Sequence, residues 1–402
     1  MGKGRRAVAM TTLVALSAAA PTSLNIILPS LPAIQRAFAA TLATTQLLIS
    51  LSLVGVALAT LAYGPVSDRY GRRPVLLAGM ALFLLGSVIC AAAPDMATLI
   101  AGRIVLAAGG AAGLVLARAV VRDLHDREAT ARVLAYLTMA MAVAPMIAPL
   151  AGGLIVERYS WRIVFVVLAA MGALILIDVA WRLPESHHAR IRLPGIGGIL
   201  GGFRRLLRVP AFCGYALHQS FSMSTFYIFA STAPYLMVEV LKRPPTEYGL
   251  YFILLSVAFI VGTFVTSRLV PLLGLDRMIM VGSLVAIAAC AVGFALALDG
   301  IWTPLAIYLP AVALGCANGL TMPNSQAGAV SIDPAAAGTA SGLVGFMQML
   351  CAALATQLLS MVELTSPVPM TGAMLVLTVL ALIAQLVATR RQRRPPPALA
   401  AG

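Results

Sequence analysis

Gly64-Pro65-Val66-Ser67-Asp68-Arg69-Tyr70-Gly71-Arg72-Arg73-Pro74 is a charged stretch set between two long apolar runs, 45–65 and 74–93. Each run is near the roughly 20 residues a helix needs to cross a bilayer. The stretch therefore reads as a tight loop between two membrane-spanning helices. Gly71 permits a sharp backbone turn, and Pro74 suits the first turn of the next helix. One acid and three arginines within six residues can form ion pairs that change partners as helices move. A simpler reading makes the arginines surface anchors only. That explains the basic residues but not Asp68 or the glycines Gly64 and Gly71.

The same alternation of apolar run and basic loop extends over the whole chain. Apolar segments fall at about 8–29, 45–65, 74–93, 97–120, 132–156, 161–181, 211–237, 248–270, 277–298, 302–324, 338–362 and 370–389, each close to spanning length. Of the 402 residues 60% are hydrophobic and 10% charged, against about 25% charged in a soluble domain. Mean hydropathy is +0.95. These values exclude a soluble enzyme, a disordered chain and a secreted disulfide scaffold. The runs lack the period-2 alternation of barrel strands. The five cysteines are scattered through apolar segments, in no metal-ligand spacing.

A net charge of +14 would suggest nucleic acid in a soluble protein. Here the basic residues lie between apolar runs, where they set topology. Twenty-two Lys and Arg fall on the face of the Asp68 loop and both termini, and five on the other. The bias places both termini in the cytoplasm and requires an even number of spans. Lys3, Arg5 and Arg6 before an apolar stretch resemble a signal peptide, but cleavage would leave eleven spans, so that reading is rejected. The tail Arg390–Arg394 with Pro395–Pro397 reads as an inner-face anchor and a disordered end.

Residues 183–208 are the long internal break in hydrophobicity. Across it, Gly71–Gly79 is echoed by Gly274–Gly282, an offset of 203 residues, about half the chain. Duplicated six-span halves are a transporter architecture. The expected domains are a six-helix bundle at 1–182, a cytoplasmic linker at 183–210, a second bundle at 211–390 and a disordered tail at 391–402.

Three further features carry chemistry. Arg103 lies inside the fourth segment, followed by Gly109, Gly110 and Gly113; a guanidinium in a membrane is expensive and points to function, with snorkelling to the surface as the alternative. Pro145, Pro149, Gly152 and Gly153 fall in the fifth segment, where Pro bends a helix and Gly admits a close neighbour. In the seventh segment Tyr215, His218, Ser222, Thr225, Phe229 and Thr232 recur at spacings of 3 and 4, so they share one helical face. Thr22, Asn25, Asn318 and Gln348 are comparable cavity candidates, or hydrogen-bonding contacts between helices. No Walker loop, zinc spacing, nucleophile elbow or dinucleotide fingerprint appears. His187-His188 and His125 lie in polar loops.

On these residues the chain resembles the major facilitator superfamily. The 64–74 loop is similar to its signature loop, with Val66 and Ser67 at the leucine and alanine positions. Arg103 with its glycines resembles the fourth-helix motif that serves proton transfer. Ala148-Pro149-Leu150-Ala151-Gly152-Gly153 resembles the antiporter motif of exporters, with Ala148 in place of a glycine. Ile27–Ile34, Val121–Leu124, Met322-Pro323-Asn324 and Ala337–Leu350 are similar to the Bcr/CflA branch of drug:proton antiporters. The resemblance implies a twelve-helix fold in two pseudo-symmetric bundles and efflux of small drugs. It also implies a switch of Gly64, Asp68, Gly71, Arg72, Arg73 and Asp123. In it Arg72 pairs with Asp123, and Asp68 meets the start of the eleventh helix near Gly338–Thr339 in the outward-facing state.

One departure bears on coupling. The branch carries an acid in the first helix where Asn25 stands. Of the fourteen acids only Asp178 falls within a segment, at its end beside Arg182. An exchangeable proton needs an ionisable group, and His218, with an ordinary pKa of about 6.5, is the remaining candidate. It reads equally as a neutral packing histidine. The expected activity is export of small drug-like molecules across a bacterial inner membrane by proton antiport, with Arg103 and His218 coupling. A facilitator or importer without coupling is the first alternative, and a transport-dead sensor or scaffold the second. No enzyme chemistry, cofactor, metal or nucleic acid is expected. The expected partners are the substrate, protons and lipid, and the expected state is a monomer.

Overall fold

The computed structural model describes residues 3–124, 127–186 and 196–392. His125, His187-His188 and the tail from 393 onward lie outside these residues. Twelve long helices run in order as α1 (Lys3–Ile26), α2 (Leu42–Tyr70), α3 (Arg72–Ala92), α4 (Met96–Leu124), α5 (Arg127–Arg158), α6 (Arg162–Arg182), α7 (Pro210–Tyr235), α8 (Pro245–Leu273), α9 (Leu275–Leu298), α10 (Pro304–Ser331), α11 (Ala337–Leu359) and α12 (Val368–Gln392). No strand occurs among the described residues. All twelve apolar segments correspond to helices, which satisfy every backbone group internally, as hydrocarbon demands. Five helices, α2, α4, α5, α8 and α12, overrun the apolar segment at both ends. Hydropathy marks the bilayer, whereas backbone hydrogen bonding continues into the charged flanks.

Among the described residues, eleven helices are long and apolar enough to cross a membrane. The exception is α7, which carries His218, Gln219, Ser220, Ser222, Ser224, Thr225, Ser231 and Thr232, all buried. A polar helix of that length is stable in a bilayer only when protein covers its polar face. The opposite case is α8, whose Leu250, Leu254, Val257, Val261 and Phe264 form an exposed stripe at spacings of 4 and 3. In water this would be a sticky patch; against lipid it is the outer wall.

The helices cluster into two compact units that cut across chain order. Unit 1 comprises Met1–Pro194, Ile228–Ser256 and Ala353–Ser366, and unit 2 comprises Gly195–Tyr227, Val257–Ala352 and Pro367–Gly402. In unit 1, α3 packs along α4, and α4 also meets α1 and α2. Gly79 and Gly86 on α3 face Gly102 and Gly109 on α4, each pair seven residues apart, and a Cβ at Gly86 or Gly109 would run into the neighbouring backbone. Small residues at heptad spacing let two helices touch backbone to backbone in lipid. Gly109→Val should therefore lower stability by about 1–3 kcal/mol, while Gly345→Ala, with nothing within 4 Å of the added atom, should not. Thermal melts of the purified variants check this, and equal melting temperatures would contradict the packing. The start of α4 is capped by Asp95, whose carboxylate accepts from Thr98 N at 2.8 Å. That hydrogen bond holds its carboxyl below the usual range. The contribution is present at neutral pH and fades as pH falls through the depressed value.

The linker is more structured than its glycines suggest. Ile196–Leu207 is a helix, although Gly197, Gly198, Gly201 and Gly202 disfavour one intrinsically. Tertiary contacts override propensity: Leu206 is buried with Phe212, Tyr215, Ile279 and Leu343 in unit 2, and Arg205 pairs with Asp333 at 3.2 Å.

Candidate functional site: a clamp, a buried arginine and a histidine cavity

The loop quoted first is a clamp. Gly71 closes α2 and opens α3 at φ +100, where a side chain would be strained. Arg72 Nη1 lies 2.6 Å from Asp68 Oδ1 and Nε 3.1 Å from Asp123 Oδ2, at the end of α4. One guanidinium thus holds two carboxylates from two helices, the fork geometry Arg supplies and Lys cannot. Glu185, just past α6, accepts from Arg72 N at 2.9 Å and Arg73 N at 3.2 Å. A carboxylate on the first free N–H groups of a helix is favoured by both hydrogen bonding and the helix dipole. Arg73 donates to Ala180 O on α6. The clamp therefore ties α2, α3, α4 and α6 together. Nothing in the sequence singled out Glu185, which stands 113 residues from its partner.

Arg103 is 0% exposed. Its Nη1 donates to Ser23 O of α1 at 3.1 Å, while Nε and Nη2 have no hydrogen-bond partner. It does not snorkel; it reaches sideways to a neighbouring helix. Asn25, two residues on from Ser23, is 3% exposed. Its Nδ2 donates to Pro21 O at 2.8 Å and its Oδ1 is unpartnered. Unit 1 thus buries two free guanidinium donors and one free amide acceptor along the same stretch of α1. Thr22, next to Ser23 in sequence, is half-buried. Asp178, at the end of α6, pairs with Arg182 at 3.1 Å and accepts from Thr12.

The glycines of the 148–153 run are contact points. A Cβ on Gly152 would strike Ile26 O of α1, and one on Gly153 would stand 2.7 Å from Pro245 O at the start of α8. Gly249 of α8 faces Leu150 in turn. Pro145 and Pro149 lie inside α5, where each removes a backbone donor.

At the end of unit 1 remote from the Asp68 loop, polar side chains join α2 to α7 and α11. Gln46 Nε2 donates to Ser231 Oγ at 2.6 Å. Ser50 Oγ donates to Gln357 Oε1 at 2.8 Å, and Gln357 Nε2 to Ala43 O at 3.1 Å. Arg36 and Glu239 approach to 3.6 Å. Gln46, Ser50 and Gln357 carried no sequence signal, being isolated polar residues in apolar helices.

In unit 2, His218 is 1% exposed. Nε2 lies 3.0 Å from Ser283 Oγ on α9 and Nδ1 2.8 Å from Ser325 Oγ on α10. A cavity with room for about one water is lined by His218, Ser222, Ser283, Ala286, Asn318, Thr321, Thr378 and Ala381. The structure therefore brings His218, Ser222 and Asn318 together. Other members of the α7 stripe go elsewhere. Tyr215 OH donates to Asp276 Oδ1 at 2.6 Å, and Thr225 bonds back to Ser222 O of its own helix. Gln348 accepts from Gln219 at 3.2 Å. Ser283, Thr321, Ser325 and Thr378 escaped the sequence reading because lone hydroxyls are common in membrane helices.

Twelve helices, a charged clamp on one loop and buried polar groups at mid-helix define a polytopic secondary transporter. The chain belongs to the Major Facilitator Superfamily, whose pattern matches residues 13–356. It is 31% identical over 387 residues to the uncharacterized MFS-type transporter YdgK of Bacillus subtilis, covering 95% of each chain. It is 28% identical to the bicyclomycin resistance protein homolog of Haemophilus influenzae, over 92% of this chain and 94% of that one. With multidrug resistance protein D of Escherichia coli it shares 27% identity over 87% of each. Among solved structures, a bacterial homolog of the human lysosomal transporter Spinster superposes with a TM-score of 0.77 at 17% identity, covering 99% and 100% of the two chains. A D-xylose–proton symporter does so at 0.73 and 16%, covering 96% and 98%. At such identities these structures establish the fold alone.

Proposed function

We propose that the chain exports small drug-like molecules across a bacterial inner membrane in exchange for protons. The observation that carries the reading is a buried Arg103 without an ion pair in the same unit as Gly152 and Gly153, which pack against α1 and α8 in a run that resembles the exporter motif. Relatives named for bicyclomycin and multidrug resistance, matched over most of both chains, support the substrate class. Movement would be rocking of two six-helix halves, 1–182 and 211–390, around a central cavity. Expression in a bacterium stripped of its own exporters tests it. Raised resistance to several drugs and faster ethidium efflux are expected, and the same sensitivity as the empty strain would contradict it.

Asn25 favours a second reading, an uncoupled facilitator, because an amide cannot exchange a proton. In that case efflux persists after the gradient is collapsed. For either reading the basic bias puts both termini in the cytoplasm. Cysteines introduced as Lys3→Cys and Ala400→Cys should resist an impermeant thiol reagent in intact spheroplasts and react after lysis. Labelling of either one in intact cells would contradict the topology.

A further inference from the structure

The two hydroxyls that flank the His218 ring are already committed as donors, although Ser222, Thr321 and Asn318 also line the cavity and carry donors of their own. Ser283 Oγ donates to Ile279 O at 2.8 Å, and Ser325 Oγ to Thr321 O at 3.0 Å. A hydroxyl carries one proton, so with those bonds made both oxygens turn lone pairs toward the ring, at 3.0 and 2.8 Å. A neutral imidazole has one N–H and one bare nitrogen. Its bare nitrogen would then face a lone pair. Two arrangements remove the conflict: the ring carries a second proton, or one hydroxyl leaves its helix carbonyl and donates to the ring. Thr378 likewise spends its proton on Leu375 O at 2.8 Å, leaving another lone pair for the cavity. Asn318 is 5% exposed and lines the same space.

We propose that His218 is a proton-binding switch whose charge is tied to the hydroxyl of Ser325. With two ring protons, His218 donates to both serine oxygens, and each serine keeps its bond within α9 or α10. When the Nδ1 proton leaves to water, the freed lone pair accepts the Ser325 O–H, and Thr321 O loses this side-chain donor while keeping its backbone one. Ser325 moves rather than Ser283 because it is closer to the ring than to its own carbonyl, whereas Ser283 is closer to its carbonyl. A Ser that bonds to the carbonyl four residues back bends its helix, so a proton arriving on α7 alters α10. Use of this switch in transport rests on the proton-antiport reading above; the switch itself does not.

The surroundings leave the charge to these hydroxyls. No carboxylate lines the cavity. On α7, Tyr215 is bonded to Asp276 of α9, which also accepts from Gln385 of α12 at 3.0 Å. The other titratable groups on the surrounding helices are Cys213, Tyr227 and Tyr235 on α7, Arg277 and Cys290 on α9, Tyr308 and Cys316 on α10, Cys351 on α11, and Arg390 and Arg391 on α12. None lines the cavity.

Nitrogen-15 NMR of the full chain in nanodiscs tests this, with labelled histidine and His125, His187 and His188 replaced by Gln so that one ring reports. Titration from about pH 5 to 9, the range a histidine switch must cover, should show both ring nitrogens protonated on the acid side. Ser325→Ala should lower the midpoint by about one pH unit, a tenfold loss of proton affinity, and Ser325→Thr, which keeps the hydroxyl, should restore it. Ser283→Ala reads the same direction should Ser325→Ala fail to fold. A ring neutral throughout, or a midpoint indifferent to both serines, overturns the proposal. So does a midpoint lowered by sodium at constant ionic strength, which would make the cavity a metal-cation site. The titration uses no substrate and no gradient, so its failure leaves the export reading untouched, and a failure of export leaves the titration intact.

Discussion

Arg103→Ala is expected to abolish gradient-driven export while the protein stays folded and inserted. The reason is the poverty of its contacts: one hydrogen bond, to Ser23 O, and two donor atoms with none. A structural arginine would be saturated, since a buried charge without partners costs stability. The cost persists only if the charge does something else. The consequence is unusual for a buried residue: Arg103→Met, apolar and of similar length, should melt at or above the wild-type temperature while export is lost. Arg103→Lys should recover little, because a point charge replaces a planar fork with five donors. Normal export by Arg103→Ala under a proton gradient would instead make Arg103 an interfacial anchor. A sharp fall in melting temperature for Arg103→Met would show a structural role.

Asp68→Asn is expected to slow turnover at least about tenfold, equivalent to 1.4 kcal/mol at the rate-limiting barrier, with much less effect on substrate binding. Arg72 holds Asp68 at 2.6 Å and Asp123 at 3.1 Å. Removing one charge leaves Arg72 committed to Asp123, so the clamp loses the partner it would exchange when the helices move. Arg72→Ala should be more severe, because it leaves two carboxylates facing each other without a cation. Glu185→Gln should be milder: the amide oxygen can still accept from one N–H of α3, losing only the favourable charge at the helix start. Turnover of a fluorescent substrate against equilibrium binding of the same substrate separates the effects. Equal losses in both would place Asp68 in binding, and no loss in either would remove it from the switch.

The twelve helices were legible because lipid imposes one requirement on every span, a continuous apolar run near bilayer length. The weakest such signal, α7, is the element that carries the histidine, and for one reason: a helix that faces a polar interior must give up apolar residues. The Arg72–Asp123 pair was an expectation of the family resemblance, carried by two short charged motifs, and not of spacing alone. Glu185 was hidden, because an acid in a glycine- and arginine-rich linker looks solvated, and its partner's backbone N–H leaves no side-chain signature. His218 was visible as a lone ionisable group, but its partners Ser283 and Ser325 stand 65 and 107 residues away. The Gln46–Ser231 and Ser50–Gln357 bonds were hidden similarly, by sequence separations of 185 and 307 residues. The linker was read only as a break in hydrophobicity, and the short helix Ile196–Leu207 inside it, with Leu206 packed into unit 2, left no run of spanning length to reveal it.

The most direct measurement is drug movement by purified protein in liposomes across an imposed pH gradient, with ethidium and a panel of uncharged antibiotics as probes. Proton-coupled export predicts uphill accumulation only when the gradient has the driving orientation, collapse of that accumulation by a protonophore, and proton movement in the opposite sense that Arg103→Ala abolishes. Downhill equilibration alone, unchanged by the gradient or the protonophore, would contradict coupling and establish a facilitator; no movement of any probe would contradict export itself.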